Sequence, residues 1–321
     1  MNTLKEIYQD NEEHNYIDSS LYSRYRVKAG LRNDNGTGVK VGLTKICDVI
    51  GYKIIHEKKY NIDGQLIYRG YPINYLVNKQ PSDKICGFEE TAYLLIFGTL
   101  PNAEQLKTFR DYLLNFKMGP VDLQYETPNI LNALQIEVLK LYAKDPSADT
   151  DDLEERMMKG LNILASIPLF TFSYARNKVF KSYPYPDKSL AENILCMARG
   201  NDQYTFEEAK IMDTLLMVHA DHGGGNNSTF ANVVISSTGT DIYSCISAAI
   251  GSLKGPKHGG ANCKVTNMFK AIFHEVGFTT DKTTLKKIAN RLLDKDFFDH
   301  SGLIYGIGHA IYTKSDPRAL L

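Results

Sequence analysis

From Phe88 onward apolar residues recur at the helical spacing, and nowhere does a strand–helix–strand alternation interrupt them, so the chain is constrained to a mainly α-helical fold. Asn102 and Gln105 form a capping-box pattern that opens AEQLKTFRDYLLNFK, with Leu106, Phe109, Leu113 and Phe116 on one face and Gly119-Pro120 as the stop. A second helix is expected from about Asn129, striped by Leu131, Leu134, Val138 and Leu141. Asp151-Asp152 suits the positive end of a third, long helix, which Pro168 is expected to kink or break. Thr205 and Glu208 supply another capping box, and Ala209, Met212, Leu215 and Leu216 carry that helix into His219. Thr240 or Asp241 caps the next helix, which Gly255-Pro256 ends. Its residues Ser244, Ala248 and Ser252 are small enough for another helix or a second subunit to come close. Val265, Met268, Phe269, Ile272, Phe273 and Val276 mark one further helix, and Leu285, Ile288 and Leu292 the last.

Ahead of these helices the pattern differs. Residues 1 to about 37 are polar and read as a short helix and an arm. VKVGLTKICDVIGYKII (39–55) is rich in β-branched residues, and GQLIYRGYPI follows the turn signal Asn61-Ile62-Asp63-Gly64. The fold class is therefore all-α, with a small N-terminal β element.

The chain's 321 residues, 43% of them hydrophobic, suffice for one large core or two domains. Lys+Arg and Asp+Glu are equal at 37 each, so no net field favours nucleic acid or an anionic membrane, and an anionic substrate must be caught locally. The five scattered cysteines contain no CxxC pair, which argues against a disulfide framework and a zinc site. No apolar run approaches the ~20 residues of a membrane span, and the opening MNTLKEIYQDNEEHNY is too acidic for a signal or transit peptide, so a cytoplasmic location is expected.

Three of the eight histidines fall between His219 and Asn262. His219 and His222 are spaced i, i+3, shorter than the His-Glu-x-x-His of a metalloprotease and without an evident third ligand. With Gly223, Gly224, Gly225 and Asn226 following, the pair suits an anion cradle of imidazole, backbone N–H and amide, or else a purely structural turn. His258, in GPKHGGAN, stands just before a helix whose positive end disfavours imidazolium. That makes it either a neutral hydrogen-bond donor fit for a developing enolate oxygen or a capping histidine. His309 follows a glycine-rich loop and Arg318 lies nine residues on, a pairing able to polarise a carbonyl and hold a carboxylate bidentately. Neither a Walker A sequence nor a strand-borne GxGxxG is present.

HADHGGGNNST, SLKGPKHGGAN and GIGHAIYTKSDPRA, in this order, resemble the three signature blocks of the citrate synthase family, and IYRGYPI and FEETAYLLIFGTLPN resemble its N-terminal blocks. The resemblance runs from about residue 30 to the end. It implies a helical homodimer with a large domain (1–257) and a small, CoA-binding domain (258–321), closing over oxaloacetate and acetyl-CoA without metal or cofactor. By position, His222 and Asn226 would line the oxaloacetate pocket, His219 would stand behind them, and Arg318 would clamp a carboxylate. His258 would hydrogen-bond the acetyl-CoA enol and His309 would polarise the oxaloacetate ketone. Backbone of Ile304, Tyr305, Gly306, Ile307 and Gly308 would meet the CoA adenine. Relatives commonly carry a basic residue four after His309; here stands Thr313, with Lys314 next as the candidate phosphate contact.

The aspartate that takes the acetyl methyl proton in this family lies beyond the Asp-Pro-Arg block, as do two further substrate arginines, and Asp316 within the block is not that base. The chain is accordingly read as a C-terminally truncated member, inactive by itself. The alternatives are a 2-methylcitrate synthase using propionyl-CoA and a non-catalytic fragment or dimerisation partner.

Overall fold

The computed structural model describes residues 3–27, 43–56, 58–119, 121, 127–256, 258–309 and 311–321. Part of the expected N-terminal arm and residues 39–42 of the expected strand lie outside them. Thr3 and Glu6 form a capping box that opens α1 (Leu4–Asp10). Two short helices with no buried residue follow, α2 (Glu12–Asn15) and α3 (Ser20–Tyr25).

The β element is an antiparallel sheet in the order β1 (Cys47–Ile55), β2 (Lys58–Tyr68), β3 (Tyr71–Pro72). The turn expected at Asn61–Gly64 is not where the chain reverses. Ile55 pairs with Lys58, and His56 takes up the reversal with a left-handed φ of 47°. Ile50 pairs with Gln65 and Tyr52 with Asn61, so Ile62, Asp63 and Gly64 of β2 face the single residue Gly51 of β1. The turn-forming residues thus make a bulge within a strand, because the residues on both sides continue the ladder.

Helix α4 (Ile73–Asn78) packs Ile73 and Leu76 against Leu66 and Tyr68 of the sheet, while α5 (Gly87–Phe97), α6 (Ala103–Leu114), α7 (Ile130–Ala143), α8 (Leu153–Arg176) and α9 (Leu190–Arg199) build the main core with α1. In its middle Tyr93, Phe97 and Phe109 pack with ring centroids 4.5 to 6.0 Å apart, and Leu113, Leu134, Leu161 and Leu169 close around them. The Asn102–Gln105 capping box opens α6 as expected. That helix ends at Leu114, short of Phe116, because the chain departs to pair Lys117 with Ser182.

Pro168 does not break α8, which runs unbroken for 24 residues. The missing N–H costs about 3 kcal/mol in an isolated helix. Here Ile163, Ala165, Leu169 and Phe170 are buried around it, and the Tyr183 hydroxyl donates to the Ala165 carbonyl at 2.7 Å, supplying a donor in the turn the proline disturbs.

A Thr205–Glu208 capping box opens α10 (Phe206–Val218), and α11 (Asn227–Ser236) and α12 (Ile242–Leu253) follow. The cap of α12 is Asp241. Its small residues serve neighbours within this chain. Gln135 of α7 donates to the Ser247 carbonyl at 3.0 Å, and a Cβ on Gly251 would lie 2.5 Å from the Gln135 amide. Ser252 accepts from Asn227 at 2.7 Å. Finally α13 (Ala261–Val276) and α14 (Lys282–Leu293) share a separate small core of Met268, Ile288 and Leu292. Among the described residues no helix is long and apolar enough to cross a membrane.

Candidate active site

α10 delivers the first histidine. Its C-cap is His219, which is exposed and turns its Nδ1 back to the Leu215 carbonyl at 2.7 Å. The fully buried Tyr68 pins the next turn: its hydroxyl accepts the Asp221 N–H (3.2 Å) and lies 3.1 Å from the carbonyl oxygens of Met217 and Asp221. Gly223, at φ 72°, then reverses the chain and donates its N–H to Asp221 at 2.9 Å. His222 is held between. Its Nε2 is buried with no hydrogen-bond partner, the condition of a group reserved for a ligand. Burial, then the positive Arg318 and the neighbouring His309, push its pKa down, so the ring is neutral.

His309 reaches the same place from the far end of the chain, its ring centroid 4.9 Å from that of His222. Its Nδ1 accepts the backbone N–H groups of Ile311 (3.2 Å) and Tyr312 (2.9 Å). A nitrogen that accepts carries no proton, so His309 is a neutral imidazole with its hydrogen on Nε2. Burial and then Arg318 depress its pKa in agreement.

Arg318 completes the group. Asp316 caps the short 3₁₀ turn Pro317–Ala319 and takes the Nε and Nη2 of Arg318 at 3.0 and 2.6 Å. This orients the guanidinium by one edge and leaves Nη1 for another acceptor.

The bulged hairpin seats this segment. A Cβ on Gly51 would meet the Ile311 carbonyl oxygen at 2.2 Å, and one on Gly64 the Ser315 carbonyl oxygen at 2.3 Å. Only glycine allows the two backbones so near. The Gly64 N–H donates to the Ser315 carbonyl at 3.1 Å, and Asp63 accepts from Lys314 (2.9 Å) and Ser315 (3.1 Å). Beside it opens a cavity of about 720 Å³ lined by Cys47, Val49, Ile67, Arg69, His222, Gly223 to Gly225 and Ile311.

Not every residue singled out in the sequence joins the cluster. Asn226 caps α11, its side-chain oxygen committed to the N–H groups of Ser228 and Thr229. His258 lies against α11, its Nε2 3.3 Å from the Ser228 hydroxyl, and no hydrogen bond, ion pair or ring contact joins it to the other histidines among the described residues. It does not cap α13, which begins after Gly260 without a side-chain cap. The glycines after it are steric: a Cβ on Gly260 would lie 2.3 Å from the Lys254 carbonyl oxygen. Ile304 and Tyr305 pack on the small core of α13 and α14, whereas Gly306, Ile307 and Gly308 are exposed, with both glycines at positive φ. Lys314 is engaged by Asp63, and Thr313 beside it is exposed. No group of three or more metal-ligating side chains forms among the described residues. Sequence reasoning missed Tyr68 and Tyr312, both of which touch the histidine turns; two among 20 tyrosines carry no local signal.

A family profile described as citrate synthase, C-terminal domain matches residues 33–321. This chain belongs to the citrate synthase family. It is 36% identical over 286 residues to a citrate synthase of Haloferax volcanii, covering 84% of this chain and 70% of that protein. To 2-methylcitrate synthase 1 of Corynebacterium glutamicum it is 33% identical over 265 residues, covering 79% and 65% respectively. The crystal structure of citrate synthase from Thermotoga maritima superposes with a TM-score of 0.64 at 28% identity, over 88% of this chain and 69% of that one. This citrate synthase family chain thus spans about two thirds of the length of these relatives.

Proposed function

We propose that the His222–His309–Arg318 cluster is an oxaloacetate site and that the reaction it serves is the condensation of oxaloacetate with acetyl-CoA. The observation that carries this reading is the fixed tautomer of His309. Two backbone donors on Nδ1 leave Nε2–H as a hydrogen-bond donor to a ketone oxygen, which polarises the carbonyl for attack. Arg318, held on one edge by Asp316, offers its remaining N–H groups to a carboxylate, and the neutral His222 offers the buried Nε2 region.

The second substrate enters by way of His258 and the exposed Gly306–Gly308 backbone. In the reaction the acetyl methyl loses a proton, the resulting enol carbon bonds to the oxaloacetate ketone carbon, and water then cleaves the thioester of citryl-CoA to release citrate and CoA. His258 would steady the enol oxygen, giving up its contact with Ser228 to do so. Asp316, the carboxylate that His309 senses, is committed to Arg318 and is no base for the methyl proton. Deprotonation of the acetyl methyl therefore calls on a base other than Asp316, a contribution worth about 10²–10⁴-fold. The active assembly is proposed to be a homodimer of two domains dividing near residue 257.

A second acyl donor, propionyl-CoA, is supported by the similarity to the Corynebacterium glutamicum 2-methylcitrate synthase. Parallel thiol-release assays with the two thioesters distinguish them. The site assignment is tested by calorimetry with oxaloacetate. Arg318→Ala is expected to weaken binding at least about tenfold, the share of one charge-assisted carboxylate contact, and His258→Ala to leave it unchanged. Equal losses in the two variants would show the roles to be misassigned.

A further inference from the structure

We propose that Tyr312 is a positioning residue of this half-site, its ring serving as the platform on which the His309 imidazole and the Arg318 guanidinium are set. The inference rests on the oxaloacetate reading above and goes beyond it to the side chain that orients the cluster.

Tyr312 is only 5% exposed, yet it belongs to none of the apolar clusters among the described residues. Its neighbours are polar instead. The ring stacks on His309 with centroids 4.7 Å apart and planes 24° from parallel. Arg318 Cζ lies 5.7 Å from the ring centroid, within reach of a cation–π attraction, and His222 meets the ring at 5.8 Å and 67°. A second link to His309 runs through the backbone, where the Tyr312 N–H donates to Nδ1.

The platform is itself fixed. The Tyr312 hydroxyl donates to the Gln65 carbonyl of β2 at 3.1 Å, next to the bulge, and a Cβ on Gly64 would lie 2.7 Å from the ring. A tyrosine serving merely as filler would present its ring to aliphatic side chains and its hydroxyl to water. This one joins all three groups of the site to the sheet. A flat ring with two torsions, locked at its far end, holds an imidazole and a guanidinium in a fixed relation at low entropic cost. Without it His309 would keep its two backbone donors but lose the surface that fixes its tilt and excludes water from its face.

The test compares Tyr312→Leu with Tyr312→Phe in the full 321-residue chain, reading oxaloacetate affinity by calorimetry and the His309 imidazole titration by NMR without ligand. Tyr312→Leu is expected to weaken oxaloacetate about tenfold, the scale of one lost stacking or cation–π contact, and to move the His309 titration upward as water reaches the ring. Tyr312→Phe keeps the platform, so affinity within about twofold of wild type and an unchanged His309 titration are expected. Unaltered affinity and titration in Tyr312→Leu would overturn the proposal. So would a full loss in Tyr312→Phe, which would assign the effect to the hydroxyl anchor and which remains decisive if the leucine variant fails to fold. A wild-type chain that bound no oxaloacetate would sink the substrate reading, while the ligand-free titration would still decide the role of Tyr312.

Discussion

Replacing Gly51 by alanine tests whether the β bulge holds the site together. The added methyl would sit 2.2 Å from the Ile311 carbonyl oxygen and 2.8 Å from its carbon, against a 3.0 Å limit that real Cβ atoms essentially never cross. No positive φ is involved at this position, so the effect is steric alone. Strand β1 is held by its ladder to β2, and the Ile311 segment is the side free to move, by about 1 Å to restore ordinary contact. The same segment donates the Ile311 and Tyr312 N–H groups to His309 Nδ1, so the shift reaches the imidazole directly. Overpacking of this kind costs about 1–3 kcal/mol, and about 1 Å of misplacement is worth about 10²-fold at a reacting centre. Urea unfolding and oxaloacetate calorimetry on Gly51→Ala should show a stability loss in that range and an affinity reduced at least about tenfold. Gly119→Ala is the control, because its Cβ would meet nothing within 4 Å. A Gly51→Ala protein as stable and as tightly binding as wild type would refute the idea that the hairpin seats the site.

Two further perturbations address buried polar groups of the fold. Glu89 is fully buried with one carboxylate oxygen unpartnered; burial above all, and then Asp213, raise its pKa to about 7 against the Leu190 N–H and Arg110 at 3.7 Å, so stability from this group is complete below about pH 4.5 and is lost as pH rises through 7. Glu89→Gln should remove about 3 kcal/mol of this pH dependence between pH 5 and 8 in urea midpoints, and a wild-type minus variant difference that is flat with pH would count against it. Tyr68→Phe leaves the part-buried Asp221 N–H without its acceptor and should cost about 1 kcal/mol. Hydrogen exchange at the Asp221 amide should speed up, and unchanged protection would mean that Tyr68 does not hold the His222 turn.

Local signals in the sequence were legible because they concern residues three or four apart. The Asn102–Gln105 and Thr205–Glu208 boxes and the Asp241 cap each close within one turn, and each is formed. The misreadings occurred where a distant partner decided. Of the kink or break expected at Pro168, the break does not occur, because residues on both sides of it in α8 are buried and Tyr183 donates in the disturbed turn. Asn61–Gly64 has turn composition, yet its flanks pair with β1, so the surplus residues bulge toward Lys314 and Ser315. The stop expected at Gly119-Pro120 comes early, at Leu114, because Ser182, far along the chain, pairs with Lys117.

The same distinction explains which part of the site could be read. His222, His309 and Arg318 stood out because histidine and arginine flanked by glycine and proline are unusual in a packed core, and the structure brings these three together. What relates them is not in their motifs. It is an N-terminal hairpin whose two glycines admit the backbone at Ile311 and Ser315, and a tyrosine whose hydroxyl ends on that hairpin. His258 shows the converse. Its motif is as distinctive, but it hangs from the turn after α12 and rests on Ser228, while Gly306 to Gly308 lead from the small core of α13 and α14 to the hairpin-bound histidine. His258 makes no hydrogen bond or ring contact with the other histidines among the described residues, and the exposed, positive-φ glycines at 306 and 308 are the backbone positions best able to absorb any change that brings the two segments together.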